Sequence, residues 1–169
     1  MISSFLSKLL MARQADFTEE GIEIFDLNFY MQPVLSLVKF QHEIGDEEKI
    51  KKLGYWISES IIDHFKKKFA IEENKISSFW IDIFNISGFG KVQVVDMTKE
   101  KTILKLDNNN FARVFLENYG IQKQPVCHLL AGVFKNFIER TTGNKVEVKE
   151  TSCIAMGNKV CTFELKTMK

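Results

Sequence analysis

Four residues near the C-terminus constrain this chain most: Cys127, Glu150, Cys153 and Cys161, spaced C-x22-E-x2-C-x7-C. They include every cysteine in the sequence. Three thiols and a carboxylate that converge on one point can hold a divalent cation, and ligands so far apart in sequence then tie a helix to a hairpin.

Local signals indicate how they converge. Pro125 fits the first position of a helix and Gly143 the residue just past its end, which places Cys127 in the first turn. Free N–H groups and the positive dipole end there favour a thiolate. Leu130, Ala131, Phe134 and Ile138 follow at helical spacing, so this face looks inward. Lys145–Cys153 and Val160–Leu165 read as hairpin strands around Met156-Gly157-Asn158; pairing Ala155 with Lys159 sets Cys153 opposite Cys161. Cys161 alternates with Phe163 and Leu165 on the apolar face, and Glu150 shares the inward parity of Val146 and Val148. Strict alternation sends Cys153 to the other face, so a bulge or bend must intervene after Glu150.

Three readings of the set remain: metal ligands, an inert core of small hydrophobic cysteines, and a Cys153–Cys161 disulfide. Metal ligation is preferred, because an inward ionised Glu needs a partner and nothing suggests export, so the thiols stay reduced. Thiolate-rich tetrahedral ligation favours zinc, and with no open position the site is structural. His128 is the rival fourth ligand to Glu150. Successive helical residues diverge by about 100°, which sets His128 away from the ion that Cys127 would hold. Three thiolates and a carboxylate leave a divalent site near −2, so backbone N–H donors at the helix start must offset the charge.

The run Pro125 to Leu165, PVCHLLAGVFKNFIERTTGNKVEVKETSCIAMGNKVCTFEL, resembles the C-terminal core of the 4-vinyl reductase domain family. The carrying features are a cysteine opening a helix with Ala131-Gly132, then E-x2-C, Met156-Gly157 and C-x-F. Gly88-Phe89-Gly90 resembles a further family landmark, a turn opening the first core strand. The family is similar to the aromatic-sensing modules of phenol-responsive bacterial activators, and in fold to vesicle-tethering complex subunits. By resemblance to the sensing modules, which bind structural zinc at the Cys, Glu, Cys, Cys positions, Glu150 is chosen over His128.

The rest of the chain predicts an α+β fold: an antiparallel four-stranded core sheet covered by helices, with N-terminal helices and the C-terminal metal-binding hairpin. With 169 residues and 45% hydrophobic content, one domain is expected over residues 21–169, preceded by a helical segment over 1–20. Phe25, Leu27 and Phe29 alternate as a strand, and Pro33 opens a helix ending near Gly45. Ile50, Leu53, Ile57, Ile61 and Phe65 mark the buried face of a long helix from Asp46 to Phe69, and Ile76, Phe79, Trp80 and Ile83 mark another. Lys91–Asp107 reads as two strands around Thr98-Lys99-Glu100, and Asn109 caps a helix to Tyr119. Net charge is +1 with the signs interspersed, which gives no footprint for nucleic acid or an anionic membrane. No transmembrane span or convincing signal peptide is read, so a cytoplasmic location is expected.

Fifteen Phe are present, and Phe79, Trp80, Phe84 and Phe89 cluster in sequence. They suggest a hydrophobic ligand pocket with Phe134, Ala131 and Val148, Ala131 leaving space over Val148. His42 and His64 form no catalytic motif. The expected function is binding or sensing of a small hydrophobic or aromatic ligand, with output through a separate protein. The alternatives are an enzyme or accessory protein in tetrapyrrole vinyl reduction, and a non-catalytic interaction subunit. Phe5, Leu6, Leu9 and Leu10 form an apolar strip on a helix too short to stand alone, and a homodimer built by this segment is expected.

Overall fold

The computed structural model describes residues 4–70 and 73–168. Residues 1–3 of the expected N-terminal helix and the side chain of Ile76 lie outside the described residues. The core is an antiparallel sheet of β4 (Lys91–Met97), β5 (Lys101–Asp107), β6 (Val146–Ser152) and β7 (Cys161–Thr167), in the order β4-β5-β7-β6. Thr102, Leu104 and Leu106 on β5 alternate inward, as do Cys161, Phe163 and Leu165 on β7. Helices α4 (Glu73–Ile86), α5 (Asn110–Tyr119) and α6 (His128–Thr142) pack around these residues, so the α+β expectation stands.

Helix α3 (Glu47–Phe69) lies against α6, capped by Asp46, whose side chain accepts from Lys49 N at 3.0 Å. Its buried stripe is Ile50, Gly54, Ser58, Ile62 and Phe65, which corrects the expected face through Leu53 and Ile57. Ile57 is 37% exposed. A Cβ on Gly54 would meet Leu129 O at 1.9 Å, and one on Gly132 would meet Lys51 O at 1.8 Å. The two backbones touch where each helix lacks a side chain, so small residues hold the contact while larger apolar ones flank it.

At the N-terminus, α1 (Ser4–Met11) is followed by a three-stranded sheet of β1 (Ala15–Phe17), β2 (Ile22–Ile24) and β3 (Leu27–Phe29). The continuous strand expected through Phe25 is instead a tight hairpin, with Phe25 and Asp26 at φ 53° and 63°. Two left-handed central residues match the twist of the paired strands. Packing stabilises that costly conformation at Phe25, whose ring lies 5.6 Å from Phe65 and 5.3 Å from Phe79. The boundary expected at residue 20 falls between β1 and β2, which pair with one another. Leu9 is buried in the same cluster and Phe5 meets Phe79 edge-on, so part of the apolar strip packs on its own chain. Leu10 and Met11 remain exposed. Helix α2 (Val34–Ile44) ends at Gly45 in the left-handed region. No helix among the described residues is long and apolar enough to cross a membrane.

Candidate metal centre

Cys127 is the residue before α6, and its carbonyl accepts from Ala131 N at 2.9 Å. The helix therefore starts three residues after Pro125, with Cys127 at the cap rather than inside the first turn. It ends at Gly143, left-handed at φ 72°. In the hairpin, Glu150 pairs with Phe163 and Ser152 with Thr162, a register shift that inserts Thr151 as a bulge. This is the irregularity that the parities of Glu150 and Cys153 require. The three-residue loop does not form. The chain leaves β6 at Ser152 and turns through a 3₁₀ segment, Ile154–Met156, before β7 begins at Cys161. Ala155 is buried there and its carbonyl accepts from Gln122 N at 2.8 Å, so it does not pair with Lys159. Asn158 holds the turn, its Oδ1 accepting from Cys153 N at 3.1 Å.

These elements bring one ligand atom from each of Cys127, Glu150, Cys153 and Cys161 within 4.8 Å of one another. The Sγ atoms are 3.9 Å apart for Cys127–Cys153, 3.8 Å for Cys127–Cys161 and 4.0 Å for Cys153–Cys161. All three thiols are fully buried and free of disulfides. Glu150 Oε2 accepts from Cys127 N at 3.0 Å, while its Oε1 is buried with no partner. Burial, reinforced by the Cys153 charge, pushes the Glu150 carboxyl up to about 8, and burial raises the Cys127 thiol well above its ordinary range. Hydrogen bonds from Cys127 and Cys161 hold the Cys153 thiol far below it. Four such acids do not all ionise together by themselves, whereas the four side chains could bind a metal whose charge stabilises the ionised set.

The donors that face the sulfurs differ from those expected. Asn109 Nδ2 donates to Cys127 Sγ at 3.1 Å and to Cys161 Sγ at 3.2 Å, and Ile154 N donates to Cys161 Sγ at 3.3 Å. The backbone donor at the α6 start, Cys127 N, serves the carboxylate instead. Asn109 is fully buried, and its Oδ1 also caps α5 by accepting from Ala112 N at 3.2 Å. Sequence reasoning gave Asn109 only the cap. The available signal was stoichiometric: capping uses the amide oxygen and leaves two N–H groups to be satisfied.

His128 stands outside this cluster, with Nε2 3.6 Å from Glu47 Oε1. His64 Nε2 is 2.7 Å from Phe25 O, and His42 stacks on Tyr119 at 3.9 Å. The structure divides the residues expected to form a ligand pocket. Trp80 stacks on Phe84 and meets Phe134 edge-on, and Phe84 stacks on Phe89. Phe79 belongs to the N-terminal aromatic cluster. Ala131 and Val148 line an open groove beside Lys51, Tyr55 and Lys135.

Comparison with known proteins agrees with the site. Residues 106–167 match the 4-vinyl reductase domain family. That span runs from the end of β5 to the end of β7 and contains all four cluster residues, as the resemblance of residues 125–165 to the same family anticipated. An uncharacterized protein of Methanocaldococcus jannaschii is 40% identical over 43 residues, 25% of this chain and 27% of that protein's length. Beyond the family match, the fold is similar to the phenol-responsive sensory domain of the transcription activator PoxR, solved with phenol. The TM-score is 0.79 at 14% identity, covering 99% of this chain and 92% of that one. It is also similar to a trafficking protein particle complex subunit 3 from Naegleria fowleri, covalently bound to palmitic acid. Here the TM-score is 0.55 at 16% identity, over 80% of this chain and 91% of that one. At these identities the likeness is one of fold.

Proposed function

We propose that this chain is a cytoplasmic small-molecule sensing module whose C-terminal core is held by a structural zinc on Cys127, Glu150, Cys153 and Cys161. The observation that carries the metal is the sulfur spacing. Tetrahedral zinc with Zn–S bonds of about 2.3 Å sets its ligands about 3.8 Å apart, and the three separations are 3.8, 3.9 and 4.0 Å. A disulfide needs sulfurs at about 2 Å. The unpartnered Glu150 Oε1 supplies the fourth donor. When bound, the ion supplies charge neutralisation and a cross-link. Asn109 and Ile154 spread the surplus negative charge, and the four ligands leave no position for a reacting water.

The ligand is an apolar or aromatic small molecule, bound without being transformed, against the wall of Trp80, Phe84, Phe89 and Phe134. Support comes from that aromatic stack and from the likeness in fold to a sensory domain solved with phenol. The signal leaves through a homodimer to a separate output protein. Native mass spectrometry of freshly purified protein tests metal, ligand and oligomer together, and a Trp56→Phe variant isolates Trp80 fluorescence for titration with aromatic compounds. One zinc per chain and a saturable Trp80 response are expected. Metal-free protein with three freely reactive thiols would refute the zinc. A silent Trp80 with a stable heteromeric partner would favour a second reading, a non-catalytic interaction subunit. That reading draws support from Trp80 lying flat on Phe137 at 3.9 Å, which fills the aromatic space, and from the trafficking-complex likeness.

A further inference from the structure

A second cleft lies against the segment that leads into Cys127, apart from the aromatic stack. Its walls include Gln41 from α2, Glu47 and Ile50 from α3, Phe115 from α5 and Val126 from the loop before α6, and it encloses about 510 Å³. That is a volume suited to a small organic ligand. Gln41 is 7% exposed. Its Nε2 donates to Val126 O at 2.6 Å, which fixes the orientation of the amide and identifies Oε1 as the free end. Oε1 is buried and has no partner among the described residues. A buried acceptor left unpaired is costly, so this wall calls for a donor.

The other polar groups narrow the class of donor. Asp46 and Glu47 are the acidic residues of the lining, and Lys123 is its one lysine. Asp46 is engaged as the cap of α3 and with Lys49 at 3.0 Å. The Glu47 carboxylate is held only loosely, 3.8 Å from Lys51 and 3.6 Å from His128. Ile50, Phe115 and Val126 supply apolar surface beside them. An acceptor-rich wall next to an apolar face suits a cation on a flat body better than an anion or a neutral alcohol.

We propose that this cleft binds a primary ammonium carried on an aromatic body, in chemical class an arylalkylamine, which donates to Gln41 Oε1 and is neutralised by Glu47. The site is separate from the aromatic wall proposed above. Because Gln41 also holds Val126, the residue before Cys127, occupancy registers in the segment that positions the metal cluster.

The test is an NMR titration of the full chain as purified, with 2-phenylethylamine, 2-phenylethanol, 3-phenylpropionate and lysine amide as probes. The amine is expected to give saturable shifts at the Gln41 side-chain amide and at the backbone amides of Val126, Cys127 and His128. The alcohol should bind at least about tenfold more weakly, since it lacks the charge. Phenylpropionate and lysine amide should leave these signals in place. Glu47→Gln, at an exposed position that leaves the core intact, should weaken the amine by about tenfold and leave the alcohol unchanged. Gln41→Met should abolish amine binding. Equal binding of amine and alcohol, equal binding of lysine amide, indifference to Glu47→Gln, or no shift with any probe at millimolar concentration would each overturn the proposal.

Discussion

Gly132→Ala adds one methyl group where α3 and α6 cross. A Cβ at that position would lie 1.8 Å from Lys51 O, 2.7 Å from Lys51 C and 2.9 Å from Tyr55 N. All three atoms are backbone, so no rotamer change relieves the overlap, and the helices must part by roughly 1.5 Å to restore ordinary contact. Parting them loosens the buried packing of Ile50, Ile62, Leu129 and Val133. In an exposed helix the same substitution would stabilise by about 1 kcal/mol, because Ala is the better helix former. Overpacking costs about 1–3 kcal/mol, and a rigid backbone obstacle lies at or above the upper end. The expected net loss is about 2 kcal/mol or more, which for a chain of this size lowers the melting temperature by roughly 4–8 °C. Urea and thermal denaturation of wild type and variant measure it directly. Gly54→Ala should behave alike, and the double variant should lose less than the sum, since the first substitution already separates the helices. Wild-type or higher stability for Gly132→Ala would mean that helix propensity prevails and that the backbones do not meet as described.

Three further outcomes follow from the site. Asn109→Asp keeps the cap on α5 but replaces two N–H···S donors with a carboxylate, so zinc should transfer to a competing chelator faster than from wild type, while Asn109→Ala should also lose about 1 kcal/mol of capping. The Glu150 carboxyl, raised to about 8 by burial, keeps its proton at neutral pH until a metal displaces it. Metal affinity should therefore climb with pH until about 8, and Glu150→Gln should reduce that slope by about one proton per ion bound, read from competition assays at several pH values. Leu9→Ala should cost about 2–3 kcal/mol in denaturation because Leu9 is 5% exposed, whereas Met11→Glu, on the exposed end of the same helix, should convert dimer to monomer in light scattering without changing stability.

Much of this site is legible in the chain itself. The spacing of the cysteines, the inward parity of Glu150 and Cys161, and the parity conflict at Cys153 together require a bulge, and the structure has one at Thr151. Gly143 and Gly157 mark the ends of α6 and of the 3₁₀ turn because left-handed backbone favours glycine. The α+β class and the pairing of β4 with β5 follow from alternation and turn residues, which are local signals.

What the sequence cannot express is which surfaces approach closest. Apolar periodicity selected Leu53 and Ile57 for the buried face of α3, yet Gly54 and Ser58 are buried instead, since the tightest helix contact is made by the smallest side chains. Phe25 reads as a strand residue by its neighbours, and only the aromatic cluster around it stabilises the left-handed turn it adopts. Asn109 reads as a helix cap, and its second role exists only because α5, α6 and β7 converge to set two sulfurs within reach of its amide. Residue types and their periods determined the elements and the ligand set of this protein. Tertiary packing decided register at the hairpin end, the donors around the sulfurs and the separation of the aromatic residues, because each depends on distances between segments remote in the chain.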